Sequence, residues 1–238
     1  MLLSALLIVS VALAAEPVDL TAPTVSEKTV HEEKDGLLVV EAEHFFRQTL
    51  TEKRAWYLTS AKHTPKVEPD GDEPHVKGAA GGAYMEILPD TRRTHDDKLT
   101  HGENFSNAPG KMAVLHYKVH ITNPGRYYVW ARIYSTTTED NGLHVGLNDT
   151  WPESGQRLQW TAKNQWFWDS KQRTEKVHTG VPGQIWLDIE KPGEHVITFS
   201  MREDGIEFDR FLLTKDKDFK RPMDEGPKVR VRKVDAEN

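Results

Sequence analysis

The sequence predicts an all-β domain, and three observations carry that expectation. Apolar residues recur with period two over short runs, Gly and Pro punctuate those runs, and no long amphipathic helical pattern appears. The clearest run is Met112 to Thr122. Ala113, Leu115, Tyr117, Val119 and Ile121 share one face there, and His116, Lys118 and His120 share the other. Asn123-Pro124-Gly125 then reads as a turn. Tyr127 to Tyr134 follows, with Tyr127, Val129, Ala131 and Ile133 on one side and Tyr128, Trp130, Arg132 and Tyr134 on the other. Bulk on both sides predicts a strand covered on both faces. Leu143, Val145 and Leu147 mark the next strand, and Ile185, Leu187 and Ile189 another; Val196 to Met201 and Phe208 to Thr214 complete the series. Trp130 and Trp186, inside strands, are expected in the core. Phe45 to Ser60 is the one stretch where a short helix is expected.

The chain has 238 residues, enough for one domain with its own core. Residues 1–15 read as a secretory leader, an apolar run from Leu2 ending at the small-residue pattern Ala12-Leu13-Ala14. The run is short for a membrane span, so the expected destination is secreted or periplasmic, with no membrane insertion once the leader is removed. Residues 16–36 read as a linker containing Pro17 and Pro23, 37–216 as the folded domain, and 217–238 as a charged tail. Two irregular segments, Lys62 to Gly82 and Pro89 to Gly110, are long for loops and are expected to carry function. There is no cysteine, which excludes disulfides, thiol catalysis and Cys-ligated metals. A net charge of −6 argues against nucleic acid as the main partner.

Two acidic stretches stand out against this pattern. Leu37-Leu38-Val39-Val40-Glu41-Ala42-Glu43 lies near the start, and Met201-Arg202-Glu203-Asp204-Gly205-Ile206-Glu207-Phe208-Asp209-Arg210-Phe211 lies near the end. A carboxylate in an apolar strand is costly to bury unless it is paired. One hard cation shared between the two strands would answer both costs.

The order of motifs resembles carbohydrate-binding modules of families 6 and 35. The Glu-Ala-Glu strand is followed by Gly81-Gly82-Ala83-Tyr84-Met85-Glu86, then Pro124-Gly125-Arg126-Tyr127-Tyr128-Val129-Trp130-Ala131-Arg132. Trp166-Phe167-Trp168, Pro192-Gly193-Glu194-His195 and Phe208-Asp209-Arg210-Phe211 close the set. The resemblance implies a two-sheet jelly-roll β-sandwich of the galactose-binding-like type that binds a polysaccharide or other glycan without cleaving it. It implies a structural calcium on Glu41, Glu43 and Asp209. It also implies a sugar platform at Trp166 or Trp168, with Trp160 and Trp151 as companions, because an aromatic face complements the C–H face of a sugar ring. In the polar loop Ser135 to Gly142, Glu139, Asp140 and Asn141 either meet sugar hydroxyls or a second calcium, or satisfy their own turn.

Other readings are weaker. A small polysaccharide-active enzyme needs two carboxylates across a cleft or a base beside an arginine. Glu139, Asp140, Glu203 and Asp204 supply the first type, and Arg92, Arg93, His95, His101 and Tyr117 the second, with no spacing that singles out a pair. A scaffold in an assembly is the third class. His95-Asp96-Asp97 with His101 matches no tight zinc spacing. Asp70-Gly71-Asp72-Glu73 lacks the alternating ligands and closing Glu of an EF-hand loop.

Overall fold

Sixteen short strands and two single-turn 3₁₀ helices make up the regular structure of the computed structural model, which describes residues 18–233. The leader expected over residues 1–15 and the tail residues 234–238 lie outside those described. In chain order the first strands are β1 (Thr29–Glu32), β2 (Leu37–Glu41), β3 (Arg47–Thr49), β4 (Ala55–Ser60) and β5 (Ala83–Leu88). Next come β6 (Val114–Ile121), β7 (Gly125–Tyr134), β8 (Gly142–Leu147), β9 (Leu158–Gln159) and β10 (Phe167–Asp169). The last are β11 (Lys171–Gln172), β12 (Val181–Pro182), β13 (Trp186–Ile189), β14 (Gly193–Met201), β15 (Glu207–Thr214) and β16 (Val231–Lys233).

They form two sheets. One has nine strands in the order β12-β11-β9-β8-β14-β6-β1-β16, with β3 also on β6. The other has seven in the order β10-β7-β15-β5-β4, with β13 on β7 and β2 on β15. This is the two-sheet β-sandwich expected. The alternation in β6 and β7 places Leu115, Tyr117, Val119, Tyr127, Val129 and Ala131 in one shared core with Phe199, Phe208 and Phe211. Tyr117 and Phe211 meet edge to face at 4.9 Å, and Phe199 lies 4.8 Å from both Phe208 and Phe211.

Several expectations change. Phe45 to Ser60 holds no helix. It forms β3 and β4, separated near Leu50, whose φ of 57 is incompatible with a helical run. Trp56 points into the core and donates its indole N–H to the Ala113 carbonyl at 2.7 Å, while Tyr57 points away. The stretch 16–36 is more than a linker, since β1 pairs parallel to β6 and brings His31 opposite Val119. Nor is 217–238 only a tail, since β16 pairs antiparallel with β1.

The tail residues before β16 also cover the outer face of the seven-stranded sheet. Val39, Trp168 and Leu212 form a second buried cluster there, with Trp130, Phe219 and Val229 packed against it. Phe219 meets Trp130 edge to face at 6.0 Å. Gly226, at φ +86, passes so close to the Trp168 ring that an added Cβ would lie 2.9 Å from it. Trp130 and Trp186 are therefore half-buried on the outer face, not in the shared core; Arg126 stacks over Trp186 at 4.4 Å.

Glu33 shows why residues before β2 matter. Its carboxylate accepts from the backbone N–H groups of Gly36, Thr122 and Asn123 and from the Asn123 amide, so it stitches the start of the chain to the β6–β7 turn. Burial works to raise its pKa, but these donors prevail and hold it below the ordinary value of 4.5. A carboxyl depressed on folding contributes stability above its unfolded pKa and loses it as pH falls through the folded one. Glu33→Gln should cost about 1.5–3 kcal/mol in urea unfolding at pH 7, and its gap to wild type should close as the pH drops below the glutamate range.

Candidate functional site

The structure brings Glu41, Glu43 and Asp209 together and gives two of them arginine partners. Both oxygens of Glu41 accept from Arg210, at Nε and Nη2. Asp209 Oδ1 accepts from the Ala80 N–H at 2.8 Å, and Oδ2 from Arg132, which also donates to the Gly78 carbonyl at 3.0 Å. Burial pushes the Asp209 carboxyl up to about 6 against the pull of Arg132. Glu43 is held well above the usual range by burial and then by Glu41, and its Oε2 has no hydrogen-bond partner. As a donor set these residues fit calcium poorly, because both oxygens of Glu41 and of Asp209 are already engaged. Two guanidinium groups stand where the cation was expected.

The expected platform residues do not offer a free ring face. Trp168 is 1% exposed, lies under the tail and donates its indole N–H to the Asp224 carbonyl at 3.0 Å. Trp166 is partly buried over the loop Lys62 to Gly82. Its ring meets Tyr84 and Tyr134 edge to face at 5.2 and 5.5 Å, and its N–H donates to the His75 carbonyl at 3.0 Å. Trp160 is 1% exposed and donates to the Ala131 carbonyl at 3.2 Å, so it reaches the surface only at its edge. Trp168 and Trp160 are core-type residues, buried rings whose indole N–H groups are each answered by a backbone carbonyl.

The polar loop divides. Asp140 turns inward and accepts from Ser135 Oγ, Thr136 Oγ1 and the backbone N–H groups of Thr136 and Thr137, so it satisfies its own turn. Glu139 and Asn141, on either side, face a cleft of about 520 Å³. Trp160 forms part of its wall. The loop Pro89 to Gly110 contributes Arg92, His95, Leu99 and Phe105, the β11–β12 hairpin Arg173 and His178, and the β14–β15 turn Arg202 and Glu203.

This cleft is basic in a chain of net charge −6. Arg92, Lys163, Arg173 and Arg202 face Glu139 and Glu203 across it. Glu139 pairs with Arg92 and lies 2.6 Å from His95 Nδ1; Glu203 pairs with Arg202 and accepts from the Asn141 N–H at 3.0 Å. An adjoining hollow of about 210 Å³ shares Arg173, His178 and Arg202 and adds Arg157. Burial lowers the pKa of Arg173, and the nearby charges of Arg202 and Arg157 lower it further. Arg92, Arg157 and Arg202 each keep a buried Nε with no acceptor. Unanswered N–H donors crowded with like charge favour an anion.

Sequence reasoning singled out Glu139, Asn141 and Trp160, which line this cleft, and missed Arg173 and Arg202 as well as Arg157 of the adjoining hollow. Those arginines come from three separate connections, and no local motif links them. Of the imagined lyase residues, Arg92 and His95 reach the cleft. Tyr117 is buried and donates to the Ala42 carbonyl at 2.7 Å, and His101 lines a different hollow, of about 660 Å³, beside Leu50 and Met112. Asp204 is fully buried. Its Oδ2 accepts from Arg54 at 3.0 and 3.1 Å and from the Thr91 N–H and Oγ1, each at 2.9 Å, which fastens the start of the loop Pro89 to Gly110.

Residues 72–225, more than half of the chain, match the family model described as the glycosyl hydrolase family 115 C-terminal domain. A relative from Formosa agariphila, the uncharacterized protein P23, is 52% identical over 218 residues. That match takes in 91% of this chain and 52% of P23, so the chain spans about half the length of that relative. Among solved structures, the family 35 carbohydrate-binding module of Paenibacillus barcinonensis is 13% identical, covering 75% of this chain and 98% of its own, with a TM-score of 0.42. The family 35 module of Clostridium thermocellum is 15% identical over 74% of this chain and 97% of its own, with a TM-score of 0.38.

The arginine clamp makes a direct prediction about stability. Removing one member of a buried ion pair strands the other charge. Arg210→Met should therefore cost roughly 3–5 kcal/mol in chemical denaturation. The double variant Glu41→Leu/Arg210→Met should recover most of that loss.

Proposed function

This chain belongs to the glycosyl hydrolase family 115 C-terminal domains, and from that premise we propose that it is a non-catalytic carbohydrate-binding module for acidic glycans. The observation that carries the reading is the cleft bounded by the β7–β8, β11–β12 and β14–β15 connections together with its adjoining hollow, where Arg157, Arg173 and Arg202 converge. A sugar carboxylate or sulfate offers the planar or clustered acceptors that a guanidinium matches. The apolar edges of Leu99, Phe105 and Trp160 supply a wall for the ring. Recognition in this reading is polar first, with no stacked platform.

The catalytic alternative would draw on Glu139 and Glu203, the carboxylates of the same cleft. Each already has an arginine partner, so neither carboxyl stands free to meet a glycosidic oxygen, although burial raises Glu203 above its usual value against the pull of Arg202. That supports binding over hydrolysis. The leader pattern at residues 1–15 supports export, where such a module would meet its glycan. Among the described residues no helix is long and apolar enough to cross a membrane.

The test is retention of the full chain on immobilised neutral and acidic polysaccharides, with reducing ends assayed in parallel. Uronate-bearing or sulfated polymers should retain it and yield no product, and retention should weaken as salt rises. Arg173→Ala should reduce affinity about 10- to 100-fold, the worth of one charge-assisted hydrogen bond. Equal retention on neutral polymers would refute the acidic preference, and new reducing ends would refute the non-catalytic reading.

A further inference from the structure

A second group of carboxylates lies near the cleft, at the β4–β5–β15 end of the outer face. Glu86 of β5 and Glu207 of β15 are register partners, so two like charges sit directly opposite on neighbouring strands. Such pairs are destabilising even at a surface. These are 3% and 1% exposed. The loop Lys62 to Gly82 lays Asp70, Asp72 and His75 over them. One carboxylate oxygen each from Asp70, Asp72 and Glu86 lie within 4.8 Å of one another, and the same holds for ligand atoms of Asp72, His75 and Glu207.

No lysine or arginine answers the charge with an ion pair. Among the described residues none pairs with Asp70, Asp72, Glu86 or Glu207; Glu207 is met by His75, at 3.0 and 3.1 Å, and by the Tyr84 hydroxyl, and Asp72 by Thr136. Asp70 Oδ1 is buried with no hydrogen-bond partner. Glu86 accepts one bond, from Thr59 Oγ1 to its Oε2 at 3.2 Å, and its Oε1 accepts none from the described residues. Burial, and then repulsion by Glu207 on Glu86 and by Asp72 on Glu207, holds both carboxyls well above the usual range. At Glu41, Asp204 and Asp209 the chain answers a buried carboxylate with an arginine ion pair. Here the nearby guanidinium of Arg93 passes Gly71 without pairing with any of the four carboxylates.

We propose that Asp70, Asp72 and Glu86 bind a hard divalent cation of the calcium class, with Glu207, held by His75, closing the far side of Asp72. Oxygen donors without a thiolate select such an ion. The His75 imidazole is engaged with Glu207 and stacks on Tyr134 at 3.7 Å, so it acts as a positioning group for that carboxylate. The ion would fasten the loop Lys62 to Gly82 onto the sheet. It is separate from the arginine clamp at Glu41 and Asp209, and independent of the glycan reading.

The experiment is a calcium titration of the chelator-stripped full chain, by calorimetry and by thermal unfolding. One equivalent of calcium should bind. At about 100 times Kd it should raise Tm by roughly 5–10 °C. Asp70→Asn and Asp72→Asn should abolish binding, yet in chelator each should unfold no earlier than wild type, because one repelling charge is gone. Glu43→Gln should keep the calcium response. No calcium response in the wild type would overturn the proposal. So would a response that survives Asp72→Asn, one that Glu43→Gln abolishes, or a response to zinc alone that is lost in His75→Ala.

Discussion

The burial of carboxylates along one end of the sandwich constrains everything around it. A β-strand that must face its own core on one side and a covering loop on the other leaves no water for an acid on its outer side. Each acid therefore fixes a partner, and each partner fixes a piece of chain. Asp209 takes Arg132 of the neighbouring strand and the Ala80 N–H, which seats the 3₁₀ turn before β5. Glu41 takes Arg210, whose remaining donor reaches the Glu225 carbonyl at 2.8 Å and so anchors the tail. Asp204 takes Arg54 and Thr91 and starts the long loop that walls the cleft. The loops are irregular in backbone, yet their attachment points are set by charge.

The frame was readable in the sequence because alternation is a direct record of burial. Ala113 to Ile121 and Tyr127 to Ile133 carry their core face at every second position, and the structure buries each of them. What failed had other causes. Trp168 and Trp130 look alike in sequence to an exposed platform and a core residue; their burial is decided by residues 219–229, far along the chain. The strand at Thr29–Glu32 was hidden because four residues leave too few alternations to read. Glu41, Glu43 and Asp209 were found as a set, but their partners Arg132 and Arg210 carry no spacing signal of their own.

The cleft was the least legible part, for a physical reason. Its arginines come from the β9 approach, the β11–β12 hairpin and the β14–β15 turn, which only sheet topology brings together. A fold can place such residues without any shared motif, so composition gave a net negative chain and concealed a local basic surface. The same holds for Asp70 and Asp72. Judged alone they lacked the closing acid of a calcium loop; Glu86 and Glu207 complete the group from two separate strands.

Basic cleft and acidic cluster also act on one another. Asp140, at the foot of the loop that carries Glu139 and Asn141, contributes to the raised pKa values of both Asp72 and Glu207, so the two regions share a field. An uncompensated group of carboxylates there would oppose an anionic ligand in the cleft, and would do so most strongly where water is excluded. A divalent cation on Asp70, Asp72 and Glu86 reverses that contribution while tying down the loop beside it. Linkage then requires reciprocity: if the cation strengthens anion binding by some factor, the anion strengthens cation binding by the same factor. The pairing of an arginine-lined cleft with an acidic cluster that has no arginine ion pair is intelligible on those terms, since either charge alone would work against the other's neighbourhood.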